Sequence, residues 1–274
     1  MAPIASEAPR LTGLGLCLAA PDPRHPHGEV LDRAIAAARA AERAGFQSLW
    51  VAEPSAHPPD VVAYEGFSLV SAVAVQTDAI HLGVVADGRQ RRPPSILAKI
   101  VTAVDVISHG RAVLSLDGDR SDDAGVERLD EALAVARAVL EDEHPTVAGR
   151  IYSVVDAVNH PAPVQAGGVP VVVFLHGSGS GFATLSSCAR SADAVVATGG
   201  AEAIGDVVSF LAQWSGERLA PRDRTTVFGQ VGVDHARPVA DGVAHVREAG
   251  ADGCLVDVPW PWSTEVIEGL ALTW

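Results

Sequence analysis

The chain reads as an α/β protein of the (βα)8, or TIM-barrel, class. Three observations carry that reading: a helix–glycine–strand unit near each end, eight short apolar runs, and helical stretches between those runs. Glu42-Arg43-Ala44-Gly45 closes a helix, and Phe46 to Val51 follows as a short apolar run; Arg247-Glu248-Ala249-Gly250 and Ala251 to Val256 repeat the pattern. Glycine just past a helix enters the left-handed region without a Cβ clash, and an apolar run this short and sharply bounded is a fully buried strand. The same hinge at both ends points to parallel strands covered by helices.

Strands are expected at Leu11–Leu18, Ser48–Ala52, Ile80–Val85, Ala112–Leu116, Pro170–Leu175, Asp193–Ala197, Thr225–Val233 and Gly253–Val258. Helices are expected at Glu29–Ala44, Gly66–Gln76, Ser95–Ser108, Asp123–Leu140, Phe182–Arg190, Ala201–Trp214, Val239–Ala249 and Thr264–Leu272. Pro94 opens the third of these and Gly110 lies just beyond its end, which is the usual punctuation. A barrel of this class runs to about 250 residues, so residues 1–274 are read as a single domain. A doubly wound open sheet uses the same ingredients, and strand count alone separates the two weakly.

Hydrophobic residues make up 48% of the chain, enough for a large core, and no apolar run approaches the roughly 18 residues of a membrane span. Met1-Ala2-Pro3-Ile4 shows no basic-then-apolar leader, and Cys17, Cys188 and Cys254 form neither a disulfide framework nor a metal-spaced set. A cytoplasmic chain with reduced thiols is expected. The formal charge of −14 argues against nucleic acid and anionic membrane as partners. Arg89, Arg91 and Arg92 are the local exception, placed just after the third strand.

Barrel enzymes assemble their sites at the carboxyl ends of the strands. The candidates there are Cys17 to Asp22, Glu53 and Pro54, Ala86 to Arg92, Asp117 to Asp119, His176 to Gly181, Thr198 to Gly200, Asp234 with His235, and Asp257 to Trp262. Within that rim, His176-Gly177-Ser178-Gly179-Ser180-Gly181 ends a strand and opens a helix. Its glycines let backbone N–H groups approach an anion, the helix start adds positive potential, and Ser178 or Ser180 supplies a hydroxyl, so the run is a phosphate cradle or an ordinary turn. Glu53 is a site carboxylate or the partner of a nearby arginine, and His176 a proton donor or a polar plug. Trp260 and Trp262 form an aromatic wall over the mouth or an anchor for the last loop.

The ordered runs Ala41 to Glu53, Ile80 to Val85, Arg92 to Lys99 and Ser108 to Leu114 resemble the second strand, third strand, following helix and fourth strand of the bacterial luciferase-like oxidoreductases. Weaker similarity continues at Arg128 to Ala132, Gly149 to Tyr152, Pro163 to Gln165, Val169 to Val173 leading into Gly177, Ala189 to Asp193, and Arg247 to Val256. The resemblance implies a flavin- (FMN) or deazaflavin- (F420) dependent oxidoreductase or monooxygenase acting on a small organic substrate. Carried across by position, ring support falls on Val85 and Ala86, and the phosphate turn on Gly177, Ser178 and Gly179 with Ser180 beside it. The acidic residue after the second strand falls on Glu53, a catalytic candidate; from their own chemistry at the rim, Arg92 is a candidate for the cofactor's charged part and His176 for catalysis. Relatives often pair through their early helices, and the Ala-rich face of Glu29–Ala44 is compatible with a homodimer.

The chain departs from that pattern in several places. Pro54 stands where many relatives have a histidine, and the third and fourth strand ends read Val84-Val85-Ala86 and Leu116-Asp117-Gly118-Asp119. The insertion after strand 4 is shortened to about Arg120–Val126. Two other readings therefore stand beside the oxidoreductase. One is a luciferase-like barrel that no longer catalyses and serves as a binding or assembly subunit. The other is a metal-assisted barrel hydrolase or isomerase using Glu53, Asp117, Asp119, Asp257 and His176.

Overall fold

A computed structural model describes residues 10–21, 28–53, 64–85, 92–118, 123–176, 181–216, 225–233, 238–270 and 274. Its strands are β1 (Gly13–Leu18), β2 (Ser48–Ala52), β3 (His81–Val85), β4 (Leu114–Asp117), β5 (Val147–Ala148), β6 (Ser153–Val154), β7 (Val171–Leu175), β8 (Ala194–Ala197), β9 (Thr226–Gly232) and β10 (Gly253–Val258). The helices are α1 (Glu29–Arg43), α2 (Gly66–Ala74), α3 (Pro94–Ile107), α4 (Asp123–Glu141), α5 (Phe182–Ser191), α6 (Gly200–Gly216), α7 (Val239–Glu248) and α8 (Thr264–Leu270). Every strand and helix expected from sequence is present, with ends shifted by a few residues at most.

Eight parallel strands hydrogen-bond in the order β3-β2-β1-β10-β9-β8-β7-β4. The ends of that series meet. The Leu82 N–H donates to the Arg111 carbonyl at 2.8 Å and the Val113 N–H to the Leu82 carbonyl at 2.8 Å, forming a parallel bridge between β3 and the start of β4. The sheet is therefore a barrel, and the carboxyl ends of all eight strands open on one side.

Both faces of each strand are buried, against different partners. Leu14, Leu16 and Leu18, Leu49 and Val51, Leu82 and Val84, and Val171, Val173 and Leu175 join the layer between sheet and helices. The alternate residues Cys17, Trp50, Val172, Phe174, Ala194, Val196, Phe228 and Leu255 form a separate cluster inside the barrel. Side chains alternate across a strand, so a two-sided core produces the unbroken apolar runs seen in the sequence. Among the described residues no helix is long and apolar enough to cross a membrane.

Carboxylates fasten the loops at the amino-terminal end of the barrel. Glu42 on α1 accepts the N–H groups of Asp78, Ala79 and Ile80 at 2.9, 2.6 and 3.0 Å and so fixes the entry to β3. Burial pushes its carboxyl up, yet these three donors hold it below its ordinary value. A lowered folded-state pKa gives stability that is full above the unfolded-state value and disappears as pH falls through the folded one. Glu42→Gln is accordingly expected to cost about 1 kcal/mol near neutral pH. Urea unfolding of both proteins should show that gap narrowing as pH drops below about 4.

The short antiparallel ladder of β5 and β6 is an element the sequence reading lacks. Glu131 on α4 holds its turn by accepting the Arg150, Ile151 and Tyr152 N–H groups, each at 2.7 Å. A Cβ at Gly149 would lie 2.4 Å from the Tyr152 carbonyl oxygen and 2.5 Å from the Glu131 carboxylate, so the cradle needs glycine there.

Candidate active site at the barrel mouth

The floor of the mouth is aromatic. Trp50 on β2 and Phe174 on β7 meet edge to face with ring centroids 5.3 Å apart, and the Trp50 indole N–H donates to Ser48 Oγ at 3.0 Å. Room for the indole comes from β3, where a Cβ on Gly83 would fall 2.5 Å from the ring. Ala52 and Val85, nearer the carboxyl ends of β2 and β3, pack on this cluster and continue it upward as an apolar wall.

Two polar groupings stand on that floor. On one side, His176 Nε2 lies 3.2 Å from Asp117 Oδ1, and the imidazole stacks on Phe174 at a centroid distance of 6.3 Å. The histidine side chain is 41% exposed, against 17% for the aspartate. The carboxylate thus supports the ring from behind while the ring faces outward. On the other side, Asp257 at the end of β10 accepts from Gln230 Nε2 at 2.9 and 2.8 Å and from the Cys17 thiol. Burial pushes the Asp257 carboxyl above its ordinary value against the pull of those two donors. Burial also pushes the Cys17 thiol well up, with the neighbouring Asp257 charge adding to it, so Cys17 is a hydrogen-bond donor here and no thiolate nucleophile. In the ring of strands β4 and β10 are four positions apart either way, so the two groupings occupy opposite sides of the mouth.

Glu53 faces elsewhere. Strand alternation sends it to the helix side with Leu49 and Val51, where it is buried and accepts the Gly66 N–H at 2.6 Å at the start of α2. Arg92 pairs with it at 3.2 Å and with Glu65 at 2.7 Å, and lies 5.4 Å from the centre of the Phe67 ring. Of the two roles open to Glu53 from sequence, the observed geometry is that of the ion pair. Arg92 joins the residues before α2 to those before α3.

Val85 sits on the inner face at the end of β3. Ala86, Gly177, Ser178, Gly179 and Ser180 lie outside the described residues, as do Pro54, Arg89, Arg91 and Asp119. The helix that the glycine run should open is present: α5 starts at Phe182 behind Gly181, which has no side chain to cap the first amides. Gln230, which orients Asp257, was missed from sequence because it lies within an otherwise ordinary strand. A polar residue in phase with Phe228 on the inner face was the available signal. Trp262 is buried, donates to the Ala19 carbonyl at 3.0 Å and packs on Trp260, which Arg33 of α1 covers at 5.4 Å. The pair ties the last loop to this chain's own first loop and helix.

Among the described residues no three His, Cys, Asp or Glu side chains are placed to hold a metal ion. Glu53 turns away from the mouth, and Asp117 and Asp257 stand on opposite sides of it. The metal-assisted reading has no support in this arrangement.

The sequence profile of luciferase-like monooxygenases matches residues 12–248. The chain belongs to that family. A curated member, the F420-dependent hydroxymycolic acid dehydrogenase of Mycobacterium tuberculosis (strain ATCC 25618 / H37Rv), is 27% identical over 229 residues, which cover 75% of this chain and 61% of that protein. The chain thus spans less than two thirds of that relative's length. An F420-dependent secondary alcohol dehydrogenase in complex with an F420-acetone adduct superposes with a TM-score of 0.73 at 13% identity, covering 96% of this chain and 98% of that one. The oxygenating constituent of 3,6-diketocamphane monooxygenase from the CAM plasmid of Pseudomonas putida, in complex with FMN, gives 0.73 at 13% identity, with 96% and 97% covered. At these identities the two structures establish the barrel fold of the luciferase-like chain and no more.

Proposed function

We propose that this luciferase-like protein is an oxidoreductase that holds FMN or F420 in its barrel mouth and acts on a small organic substrate. The observation that carries the reading is the floor: an apolar, aromatic base between two separated polar groupings, at the carboxyl ends of strands in a chain that belongs to this family. Such a base suits a planar ring with polar edges. α5 begins behind Gly181, directly after the run Gly177-Ser178-Gly179-Ser180 in the sequence, and a glycine-rich run opening a helix suits a phosphate. These features fit either cofactor, and the names of the family's relatives include both.

In this reading Val85 and Ala86 support the ring, and the 177–180 segment takes the phosphate. A bound ring would supply the hydride transfer or oxygen activation itself. The protein's part is position and proton handling. His176, steadied by Asp117, holds or delivers a proton at the mouth, and Glu53 with Arg92 keeps the starts of α2 and α3 in place around it. The exposure of His176 favours catalysis over a barrel plugged by its own side chains.

Titrating the purified protein with FMN and with F420, by fluorescence or calorimetry, tests this directly. Binding of one of them well below 1 mM is expected, a free energy beyond about −4 kcal/mol. Failure of both to bind below the millimolar range removes the proposal.

A further inference from the structure

Of the two carboxylates described at the mouth, Asp117 faces a histidine and Asp257 does not. Asp257 points into the mouth from the inner face of β10, in register with Cys17 on one side and Gly232 on the other. Its partners, Gln230 and Cys17, are both neutral donors. An ionised carboxylate offers about four acceptor positions. The single Gln230 amide nitrogen spans both oxygens and the thiol takes one more place, so acceptor capacity is left over.

The neighbourhood leaves that capacity accessible. Gly232 has no side chain, and a Cβ built there would meet no heavy atom within 4 Å. Among the described residues no cation faces Asp257. Arg92 is engaged by Glu53 and Glu65 on the outer side of β2 and β3. Around the barrel, β10 is three strands from β7, so Asp257 stands apart from His176. A second anion beside Asp257 would meet like-charge repulsion, and a carbonyl would find no donor on the carboxylate.

We infer that Asp257, held in place by Gln230 and Cys17, selects the polar head of the substrate and takes a hydrogen-bond donor, a hydroxyl or an ammonium, over a carbonyl or carboxylate. This rests on the reading of the mouth as an oxidoreductase site and adds to it the substrate class, an alcohol or amine. The same acceptor could be met by an N–H on the edge of a cofactor ring, and the test separates the two sources.

The probes are cyclohexanol, cyclohexylamine and cyclohexanone, titrated by calorimetry into wild type and Asp257→Asn, each with and without saturating FMN or F420. Wild type is expected to bind the amine or the alcohol about tenfold or more tightly than the ketone, as for one hydrogen bond to a charged group. Asp257→Asn should cut that preference to about twofold. Gln230→Leu, which leaves the carboxylate present but unsteadied, should lower the preference about threefold and carries the test if the Asn variant does not fold. Equal or better binding of the ketone overturns the inference, as does a preference that survives Asp257→Asn, or no binding of any probe at 100 mM. A variant that loses about tenfold in cofactor affinity while keeping the probe preference assigns Asp257 to the ring and overturns it too. If wild type binds neither cofactor, the oxidoreductase reading fails by itself, and the probe series without cofactor still decides this one.

Discussion

Replacing His176 by alanine is expected to slow the substrate-dependent oxidation or reduction of the bound cofactor by about 10²–10⁴-fold, the usual worth of a positioned acid–base group. Cofactor affinity should stay within about twofold, because the aromatic floor and the α5 end are untouched. The geometry supports this size of effect. Asp117 Oδ1 lies 3.2 Å from Nε2, which fixes the ring's orientation, while the side chain remains 41% exposed. Asp117→Asn should lose part of the same rate, since the ring stays but the carboxylate that orients it goes. Stopped-flow absorbance across pH is the measurement, and the wild-type profile should carry a limb that His176→Ala lacks. If the alanine variant instead keeps its rate and binds FMN or F420 about tenfold more weakly, His176 serves the cofactor phosphate and its proton role is wrong.

What the sequence made legible follows from which contacts are local. β7 is buried along its whole length, so Val171 to Leu175 carry an unmistakable apolar run. The helix ends are marked by nearby glycine and proline, and the expected boundaries agree to within a few residues. In a barrel, however, both alternating sets of a strand are buried, so hydrophobicity does not say which set faces inward. On β2 the inner set is Ser48, Trp50 and Ala52 and the outer set Leu49, Val51 and Glu53; the more apolar set is the outer one. That is why Glu53 read equally well as a site residue and as a structural partner, and why Gln230 was passed over within its strand. The β5–β6 ladder was invisible for a different reason. Its strands have two residues each, and its turn is held by Glu131 from the preceding helix, a contact some twenty residues away. The opposition of Asp117 and Asp257 depends on the strand order around the ring, which no local pattern encodes.

The largest loss of stability is expected from Asp105→Ala, on the order of 3–5 kcal/mol. Asp105 lies on α3 with no exposed surface. Its Oδ2 accepts the N–H groups of Val164 and Gln165 at 2.7 and 3.0 Å, and its Oδ1 accepts Gln165 Nε2 at 3.0 Å and the Ala112 N–H at 3.4 Å. The carboxylate therefore joins the segment leading into β7 to the helix–strand turn that closes the barrel, for Ala112 is the residue that bridges to Leu82 on β3. Its hold on Gln165 also sets that amide's orientation, with Nε2 shared between Asp105 and the Ala112 carbonyl and the buried Oε1 without a hydrogen bond. Alanine would leave the buried Gln165 and Ala112 N–H groups with nothing to accept from them, each costing about 1–3 kcal/mol before relaxation, and would take one of two acceptors from Gln165 Nε2 and the acceptor of the part-buried Val164 N–H. The neighbours can shift and admit water, which brings the sum down to the range above. Asp105→Asn, keeping one acceptor oxygen but turning an amide toward other donors, should fall between alanine and wild type. Urea unfolding followed by circular dichroism gives the magnitude, and native-state hydrogen exchange its location: the Val164, Gln165 and Ala112 amides should lose protection first. A loss under about 1 kcal/mol, or unchanged exchange at those amides, would mean that the closing seam is held by the Leu82 bridge and the packing around it without Asp105.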